Sequence, residues 1–344
     1  MRLANNGVAA GRRTTVELRL TPPQPFRLGL TALALVRRPN NRIDAWHGGV
    51  YSRWIPVAEP AGPEQVPQFL LEVAEAPRPA ARAVAGGPLG QTEALSIRAT
   101  GYLSEPQLAE LAQQAVAHMF GFDVDLAPFH ALAQQDERLG PLARDLMGLR
   151  PPRYPGVFQA LLNAVPCQQV TLVLGLSLLE RLSRELGPRH AAGALVADPA
   201  GPLALPDAAA LRGASQAELT ALGLSGAKAR TLRELAQLCG DGSLDLAALA
   251  AAPSSEVSDR LQALYGVGRW TAEYVLLRGL GRLDVFPYGD SGARNGLARF
   301  MGESGKPSYD WVAETVGAWQ PYAGFVYLHL LVARLLESGA FESL

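Results

Sequence analysis

Lysine, cysteine and long apolar runs are all scarce in this chain of 344 residues. Lysine occurs only as Lys228 and Lys306, so arginine supplies nearly all of the 31 basic side chains. Two cysteines, Cys167 and Cys239, cannot supply the four thiolates of an iron–sulfur cluster, and no Cys/His spacing indicates zinc. No apolar run reaches the roughly 18 residues that cross a membrane. These absences exclude a metal cluster and a membrane protein, and the low cysteine content favours a reducing, cytoplasmic location, nucleoid-associated in a prokaryote.

The overall composition is that of an ordinary globular protein, with 48% hydrophobic and 18% charged residues. The length accommodates two or three domains. A net charge of −1 argues against a wholly basic nucleic-acid binder, but a local basic face remains compatible with it. The first 13 residues lack the apolar stretch of a secretory signal, and we expect a short disordered tail there.

Residues 14–122 carry the β-strand signal of the chain. Alternating apolar residues, β-branched residues and aromatics, separated by turns rich in Pro and Gly, predict strands at 15–20, 48–57, 69–76 and 94–101. Apolar periodicity predicts helices at 31–38 and 105–122. We interpret this region as an N-terminal α+β domain, an antiparallel sheet with helices on one face.

From residue 123 to residue 344 the strand signal disappears and helical periodicity takes over. The fold class predicted for the whole chain is therefore α+β and mainly α. The predicted helices are 126–135, 137–147, 155–165, 168–184, 207–212, 215–222, 225–239, 244–251, 256–264, 270–279, 290–300, 308–317 and 321–338. His329 lies in the last of these, and a buried core histidine is the favoured interpretation.

The chain is organised around a helix, a turn and a second helix between residues 256 and 278. Tyr265-Gly266-Val267-Gly268-Arg269 forms the turn, and both of its glycines can adopt the positive φ that a tight reversal needs. Glycines before a helix N-terminus expose backbone N–H groups, which attract anions. An ordinary connection between two antiparallel helices explains the same pattern.

A wider stretch resembles a known family. The segments LQALYGVGRWTAEYVLLRG and LDVFPYGDSGARNGLARF are similar to the hairpin and the aspartate loop of helix-hairpin-helix (hairpin–Gly/Pro–Asp) DNA glycosylases. The resemblance is strongest to the alkylation-repair branch, DNA-3-methyladenine glycosylase II. It continues upstream through ALLNAVPCQQVTLVLGLSLLERL and LGLSGAKARTLRELAQ, and downstream through AWQPYAGFVYLHLLVARL. It implies a region of two helical lobes at 123–344 with an active-site cleft between them.

The resemblance implies that Asp290 is catalytic. Breaking an N-glycosidic bond builds positive charge on the sugar, and a fixed carboxylate stabilises that charge and can orient water. The alternative, that Asp290 caps the following helix, is compatible with catalysis. Bifunctional relatives place a nucleophilic lysine directly after the hairpin, where this chain has Trp270. The resemblance therefore implies monofunctional hydrolysis that leaves an abasic site.

The base pocket implied by the resemblance contains Trp270, Tyr274 and Gln168. Stacking of an electron-poor, flipped base on aromatic rings suits alkylated bases, although core packing of Trp270 and Tyr274 remains an alternative. Two positions depart from the pattern. Leu331 stands where a pocket aromatic is expected, and Gln169 stands where a leucine fills the gap left by the flipped base. A buried helix start is the alternative role of Gln169.

The hairpin is expected to hold the DNA backbone. The residues implied in DNA contact are Gly266, Val267, Gly268, Arg269, Trp270 and Thr271, with Gln169 at the wedge. The resemblance also implies a structural Na⁺ or K⁺ bound by the backbone carbonyls of Gln262, Leu264 and Val267. No other cofactor is expected.

Three functions are compatible with these observations. The first is an alkylbase DNA glycosylase of base excision repair, with damaged double-stranded DNA and downstream repair enzymes as partners and a monomeric chain. The second is a glycosylase for oxidised bases such as 8-oxoguanine, which usually requires the missing lysine. The third is a non-catalytic binder of DNA structure that uses the hairpin alone.

Overall fold

The computed structural model describes residues 12–77, 91–188, 201–305 and 307–339. The predicted tail, residues 1–13, lies outside the described residues except for Arg12 and Arg13. The architecture is an N-terminal antiparallel sheet followed by a long series of helices, so the predicted α+β, mainly α fold class is confirmed.

The sheet consists of five strands among the described residues, all paired antiparallel. The strands are β1 (Thr14–Leu20), β2 (Ala45–His47), β3 (Val50–Pro56), β4 (Gln68–Glu75) and β5 (Leu95–Gly101), in the spatial order β1-β5-β4-β3-β2. Four of them were predicted from alternation. The three residues of edge strand β2 are too few to show a period of two, which is why the sequence did not reveal them.

Two helices accompany the sheet. Helix α1 (Leu28–Val36) is buried along most of its length, which explains why it shows no polar face in the sequence. Helix α2 (Glu105–Met119) begins at Ser104, whose hydroxyl and backbone form a capping box with Gln107. Its apolar face packs on β1 and β5. The predicted helices at 31–38 and 105–122 are therefore confirmed, with their ends shifted by about three residues.

Helices account for the remaining regular structure of the described residues. They are α3 (Ala127–Gln134), α4 (Leu139–Asp145), α5 (Val157–Cys167), α6 (Leu172–Leu186), α7 (Ala208–Gly213), α8 (Gln216–Ala221), α9 (Gly226–Gly240), α10 (Leu246–Ala251), α11 (Ser254–Gln262), α12 (Arg269–Arg278), α13 (Ser291–Met301), α14 (Tyr309–Gly317) and α15 (Ala323–Glu337). Each predicted helix of this region corresponds to one of them. The largest difference concerns α6, which begins at Leu172 and not at position 168, because Gln169 adopts a left-handed backbone conformation that breaks the helix.

Two hydrophobic cores support the molecule. The first combines the inner face of the sheet with α1, α2 and the helices α5 through α12. The second joins α1 to α3, α4 and the helices α13 to α15. Helix α12 contributes to both, so the hairpin and the loop after it lie between the two cores. The division at residue 122 into two domains stays a prediction.

A buried ion pair lies where the sheet meets α5. The Arg53 guanidinium donates to both carboxylate oxygens of Asp44, at 2.6 Å each, and also to Gln159 of α5 at 2.9 Å. Tyr51 donates its hydroxyl to the same aspartate. Because a buried charge is stable only when it is paired and hydrogen-bonded, this group fixes the sheet relative to α5. None of the helices in the described residues combines the length and apolarity needed to span a bilayer.

Candidate active site

The predicted hairpin is present, with α11 and α12 joined by a turn at residues 263–268. Gly266 has a φ of 73°, and a Cβ atom placed there would lie 1.9 Å from Oγ1 of Thr231 on α9. Position 266 therefore admits only glycine. Gly268 has an extended backbone with a φ of −93°, so the positive φ proposed for both glycines applies to Gly266 alone.

The N-terminus of α12 leaves backbone donors available. Its N-cap, Gly268, has no side chain that could accept hydrogen bonds from the first turn. The N–H groups of Arg269, Trp270 and Thr271 therefore point out of the helix with the positive end of its dipole behind them. Val267 is buried and anchors the turn, and its N–H donates to the Leu264 carbonyl at 3.2 Å.

Gln168 and Gln169 follow α5 and lie opposite the hairpin. The Gln168 amide donates to the Gly266 carbonyl and to Oγ1 of Thr271, both at 2.9 Å, so its side chain holds the hairpin against α5. Gln169 is exposed and has a φ of 53°, a conformation that non-glycine residues seldom adopt. Its side chain stands at the rim of a cleft of about 1080 Å³ that separates α5 and α6 from the hairpin.

Asp290 lies in the wall of this cleft. It is the N-cap of α13, and its Oδ1 accepts hydrogen bonds from the N–H groups of Gly292 (2.7 Å) and Ala293 (3.1 Å). The capping role considered from the sequence is therefore real. The second oxygen, Oδ2, accepts no hydrogen bond from any described residue and is free to interact with a molecule in the cleft.

Glu273 connects the hairpin to the loop before Asp290. One oxygen of its carboxylate accepts from Arg269 Nε at 2.7 Å, and the other accepts from the Gly289 N–H at 2.9 Å. Burial raises the pKa of Glu273, although both hydrogen bonds oppose that rise. The Arg269 guanidinium also lies over the ring of Tyr288, 5.0 Å from its centroid. Arg269 is thus partly committed to internal contacts, yet its side chain remains 56% exposed.

A column of aromatic rings extends from the cleft into the protein. Trp270 is half-buried and lines the cleft, and its indole lies against the ring of Tyr274 with centroids 5.5 Å apart. Tyr274 is only 6% exposed, and its hydroxyl contacts the hydroxyl of Tyr154 at 2.7 Å and donates to Asn163 at 3.2 Å. The structure therefore places Trp270 at the cleft surface and Tyr274 behind it as its support.

A second, smaller cavity of about 80 Å³ opens on the other side of Asp290. Tyr327 and Leu331, one turn apart on α15, contribute to its wall. Leu331 is the position where the family pattern expects an aromatic, and the structure places it beside the carboxylate. Burial raises the pKa of Tyr327 to about 12, so its hydroxyl stays protonated near neutrality.

Two other residues singled out in the sequence, His329 and Gln262, make internal contacts away from the cleft. His329 is buried, donates a hydrogen bond from Nδ1 to the Phe325 carbonyl at 2.9 Å and has a pKa lowered by burial to about 4, as expected of a core histidine. The Gln262 side chain turns back along α11 to Ser258. The described residues contain no group of three or more His, Cys, Asp and Glu side chains arranged around a metal site.

Three residues of the site were not predicted. Arg37, at the end of α1, lines both cavities beside Asp290. Glu273 and Tyr327 were the other two. The spacing of Arg269 and Glu273 by four residues could have indicated an ion pair. Likewise, Tyr327 lies one helical turn before Leu331, and this spacing could have indicated that both residues share one face of the helix. No local pattern could have indicated Arg37, because its approach to Asp290 spans more than 250 positions of sequence.

The part of the chain that carries the hairpin and Asp290 matches a known protein family. Residues 162–321 match the family model described as HhH-GPD superfamily base excision DNA repair protein. The match includes the hairpin, Gln168, Gln169 and Asp290. It excludes the sheet and Arg37.

Two relatives come from Bacillus subtilis (strain 168). YfjP is 25% identical over 174 residues, which are 51% of this chain and 58% of that protein. A DNA-3-methyladenine glycosylase is 26% identical over 211 residues, 61% of this chain and 68% of that protein. The chain therefore spans little more than half to two thirds of the length of these relatives.

Solved structures show that the fold extends beyond the matched segment. The 3-methyladenine DNA-glycosylase from Archaeoglobus fulgidus superposes with a TM-score of 0.73 at 19% identity, covering 93% of this chain and 99% of that one. An 8-oxoguanine glycosylase/lyase from Clostridium acetobutylicum, in complex with double-stranded DNA, superposes with a TM-score of 0.63 at 16% identity, covering 91% and 93%. The N-terminal sheet thus belongs to the shared fold.

Proposed function

We propose that this chain is a monofunctional glycosylase for alkylated bases in duplex DNA. The proposal starts from the match of residues 162–321 to the HhH-GPD superfamily of base excision DNA repair proteins. The single observation that carries the proposal is the position of Asp290. One oxygen of this carboxylate is held by the start of α13, while the other is free in a cleft large enough for a nucleoside.

The free oxygen of Asp290 suits hydrolysis of an N-glycosidic bond. As the bond between C1′ and the base nitrogen lengthens, its electron pair moves to the base and the sugar becomes an oxocarbenium-like cation. Asp290 stabilises that cation, and water attacks C1′. Two backbone donors fix the carboxylate before the reaction, so little reorganisation is needed during it.

Trp270 offers a surface for the flipped base. Its indole lines the cleft and is stiffened from behind by Tyr274, whose hydroxyl is held by Tyr154 and Asn163. Stacking on an aromatic face favours electron-poor rings, as alkylated bases have. We assign base contact to Trp270 and support of the indole to Tyr274. Trp270 also occupies the position of the lysine of bifunctional relatives, which supports hydrolysis without a covalent intermediate.

Gln168 and Gln169 take different roles in this proposal. Gln168 holds the hairpin at a fixed distance from α5 through Gly266 and Thr271, so it positions the DNA-binding turn. Gln169 projects from the rim of the cleft on a backbone already set in its unusual conformation. It is placed to enter the gap that a flipped base leaves and to hydrogen-bond the orphaned partner base.

The free N–H groups of Arg269, Trp270 and Thr271 would hold a DNA phosphate at the start of α12. The carbonyls of Gln262, Leu264 and Val267 would hold a monovalent cation next to it. The Leu264 carbonyl already accepts one hydrogen bond, and its second lone pair is available to a cation. The cation would add positive charge beside the phosphate. We propose damaged duplex DNA as the direct partner and enzymes that process abasic sites as later ones.

The experiment that tests this function is mass spectrometry of bases freed from randomly alkylated duplex DNA. We expect methylated bases in solution and abasic sites in the DNA, with far less of both products from the Asp290→Asn variant. Borohydride should trap no covalent adduct. A trapped adduct together with release of oxidised bases would instead indicate an 8-oxoguanine type of enzyme, and duplex binding without any release would indicate a non-catalytic binder.

A further inference from the structure

Arg37 enters the cleft from outside the segment that the family model matches. It is the C-cap of α1 and has a φ of 59°, a left-handed conformation that is uncommon for arginine. The turn that holds it is rigid. Asn41 donates its amide to the Val36 carbonyl and accepts from the N–H groups of Ile43 and Asp44. The backbone at position 37 is thus fixed in an unfavourable conformation that directs the Arg37 side chain towards the cleft.

That side chain reaches the region around the catalytic carboxylate. The large cleft and the smaller cavity share three lining residues, Arg37, Asp290 and Gly292. Arg37 therefore lies where the two cavities adjoin, with Trp270 in the wall of one and Tyr327 in the wall of the other. A base stacked on Trp270 with its sugar beside Asp290 would come within reach of Arg37.

The Arg37 side chain is half-buried and has no hydrogen-bonding partner among the described residues. Its Nε is buried without a hydrogen bond, and its guanidinium forms no ion pair or hydrogen bond with any described residue. By contrast, Arg53 pairs with Asp44, and Arg278 donates to the Ala34 carbonyl. Because a partly desolvated cation without an acceptor is destabilising, an arginine kept in this state is best explained by a ligand that supplies the missing acceptors.

The charge on Arg37 is permanent. Burial alone lowers its pKa, but the nearby hydroxyls of Tyr274, Tyr327 and Tyr154 and the carboxylate of Asp290 outweigh burial and raise the pKa above its ordinary value. A fixed cation in the pocket repels a base that is itself positively charged. It stabilises a base that gains negative charge as its bond to the sugar breaks.

We propose that Arg37 is a specificity-determining residue of the base pocket, which donates hydrogen bonds to the flipped base and favours neutral alkylated bases over cationic ones. This inference rests on the proposed function. A neutral base departs with the electron pair of the C1′–N bond as an anion, which Arg37 stabilises until water protonates it. A base alkylated at N3 or N7 departs neutral and gains nothing from the guanidinium.

The replacement of a pocket aromatic by Leu331 acts in the same direction. Fewer electron-rich rings around the base weaken the cation–π attraction that would otherwise favour positively charged bases. The pocket of this chain thus combines a permanent cation with a reduced aromatic surface. Both changes lower the preference for charged bases relative to a pocket lined by aromatics alone.

The test compares single-turnover release from two duplexes, one with a neutral ethenoadenine and one with a cationic 7-methylguanine. In Arg37→Gln we expect release of ethenoadenine to fall at least tenfold, while release of 7-methylguanine changes less than threefold or rises. Arg37→Lys should retain more ethenoadenine release than Arg37→Gln. Arg38→Gln is the matched control, because it removes the same charge from the adjacent, exposed position and should leave both rates unchanged.

Thermal unfolding of each variant distinguishes a variant that no longer folds from one that has lost its selectivity among bases. An equal fall of both rates in a folded Arg37→Gln protein, or no change in either, would show that Arg37 does not select among bases. If the unaltered protein releases neither base, the proposed function is wrong and the inference falls with it. If it releases both bases and only the ratio fails to change, the inference about Arg37 alone is wrong.

Discussion

The Glu273 carboxylate accepts a hydrogen bond from the Gly289 N–H at 2.9 Å, one residue before Asp290. Its other oxygen accepts from Arg269 in the first turn of α12. Through this one side chain, the turn that is proposed to hold DNA and the loop that carries the proposed catalytic acid are joined. The fit between them is close, because a Cβ atom at position 289 would lie 2.6 Å from the Cβ of Trp270.

Glu273→Gln should therefore lower the rate of base release more than DNA binding. The amide can keep one of the two hydrogen bonds, but its NH₂ group faces a donor at the other, so the loop before Asp290 loses its restraint. We expect about a tenfold lower single-turnover rate, with the dissociation constant for duplex DNA within about twofold. Glu256→Gln, which breaks the exposed Arg260–Glu256 pair on α11, should change neither quantity. Equal effects of the two substitutions would contradict this role.

The two hairpin glycines should respond differently to alanine. Gly266→Ala forces a Cβ atom onto Thr231 at a φ of 73°, and we expect a loss of about 2–4 kcal/mol in the free energy of unfolding. Gly268→Ala adds a Cβ with no heavy atom within 4 Å at a φ of −93°, so its stability should change by less than about 0.5 kcal/mol. Urea unfolding monitored by circular dichroism checks both values. Comparable losses would show that the turn differs from the one described.

Glu59 predicts a pH dependence of stability. Its carboxylate accepts from the N–H groups of Val157 and Phe158 at the start of α5, and burial raises its pKa to about 7. The folded protein therefore holds this proton more tightly than the unfolded chain does. The contribution of Glu59 to stability is complete below its ordinary pKa of 4.5 and is lost as the pH rises through 7.

Comparison of the unaltered protein with Glu59→Gln isolates this effect. The free energy of unfolding of the unaltered protein, relative to that of the variant, should decrease by up to about 3 kcal/mol between pH 4.5 and pH 8. Urea titrations at a series of pH values supply the measurement. A difference that stays constant or grows with pH would show that the carboxylate is not desolvated in the folded protein.

The sequence predicted the helices well because their apolar faces recur at a period that burial enforces. The two main features of the proposed site, the hairpin and Asp290, could be recognised because they lie within one stretch of about 40 residues. What the sequence could not predict depends on distant contacts. Gln168 was assigned to the base pocket, but only the folded chain brings its amide to Gly266 and Thr271, about 100 positions later.

Arg37 is a second residue whose position depends on contacts that are distant in the sequence. In the sequence it is one of two adjacent arginines before a proline, a pattern typical of an exposed helix end. Only the packing of α1 against α15 places Arg37 beside Asp290 while Arg38 points to solvent. A residue that reaches the proposed site from a distant part of the chain leaves no spacing that a motif could reveal.

The catalytic role proposed for Asp290 is best measured as single-turnover base release by Asp290→Asn on an alkylated duplex, together with thermal unfolding and duplex binding. Asparagine is an equally good helix N-cap, so α13 should keep its start and the unfolding temperature should change little. We expect the rate to fall by about 10²–10³-fold or more with DNA binding retained, and Asp284→Asn, at an exposed acid nearby, to keep full activity. If the Asp290→Asn protein is folded, binds DNA and releases bases at the unaltered rate, Asp290 is not the catalytic acid.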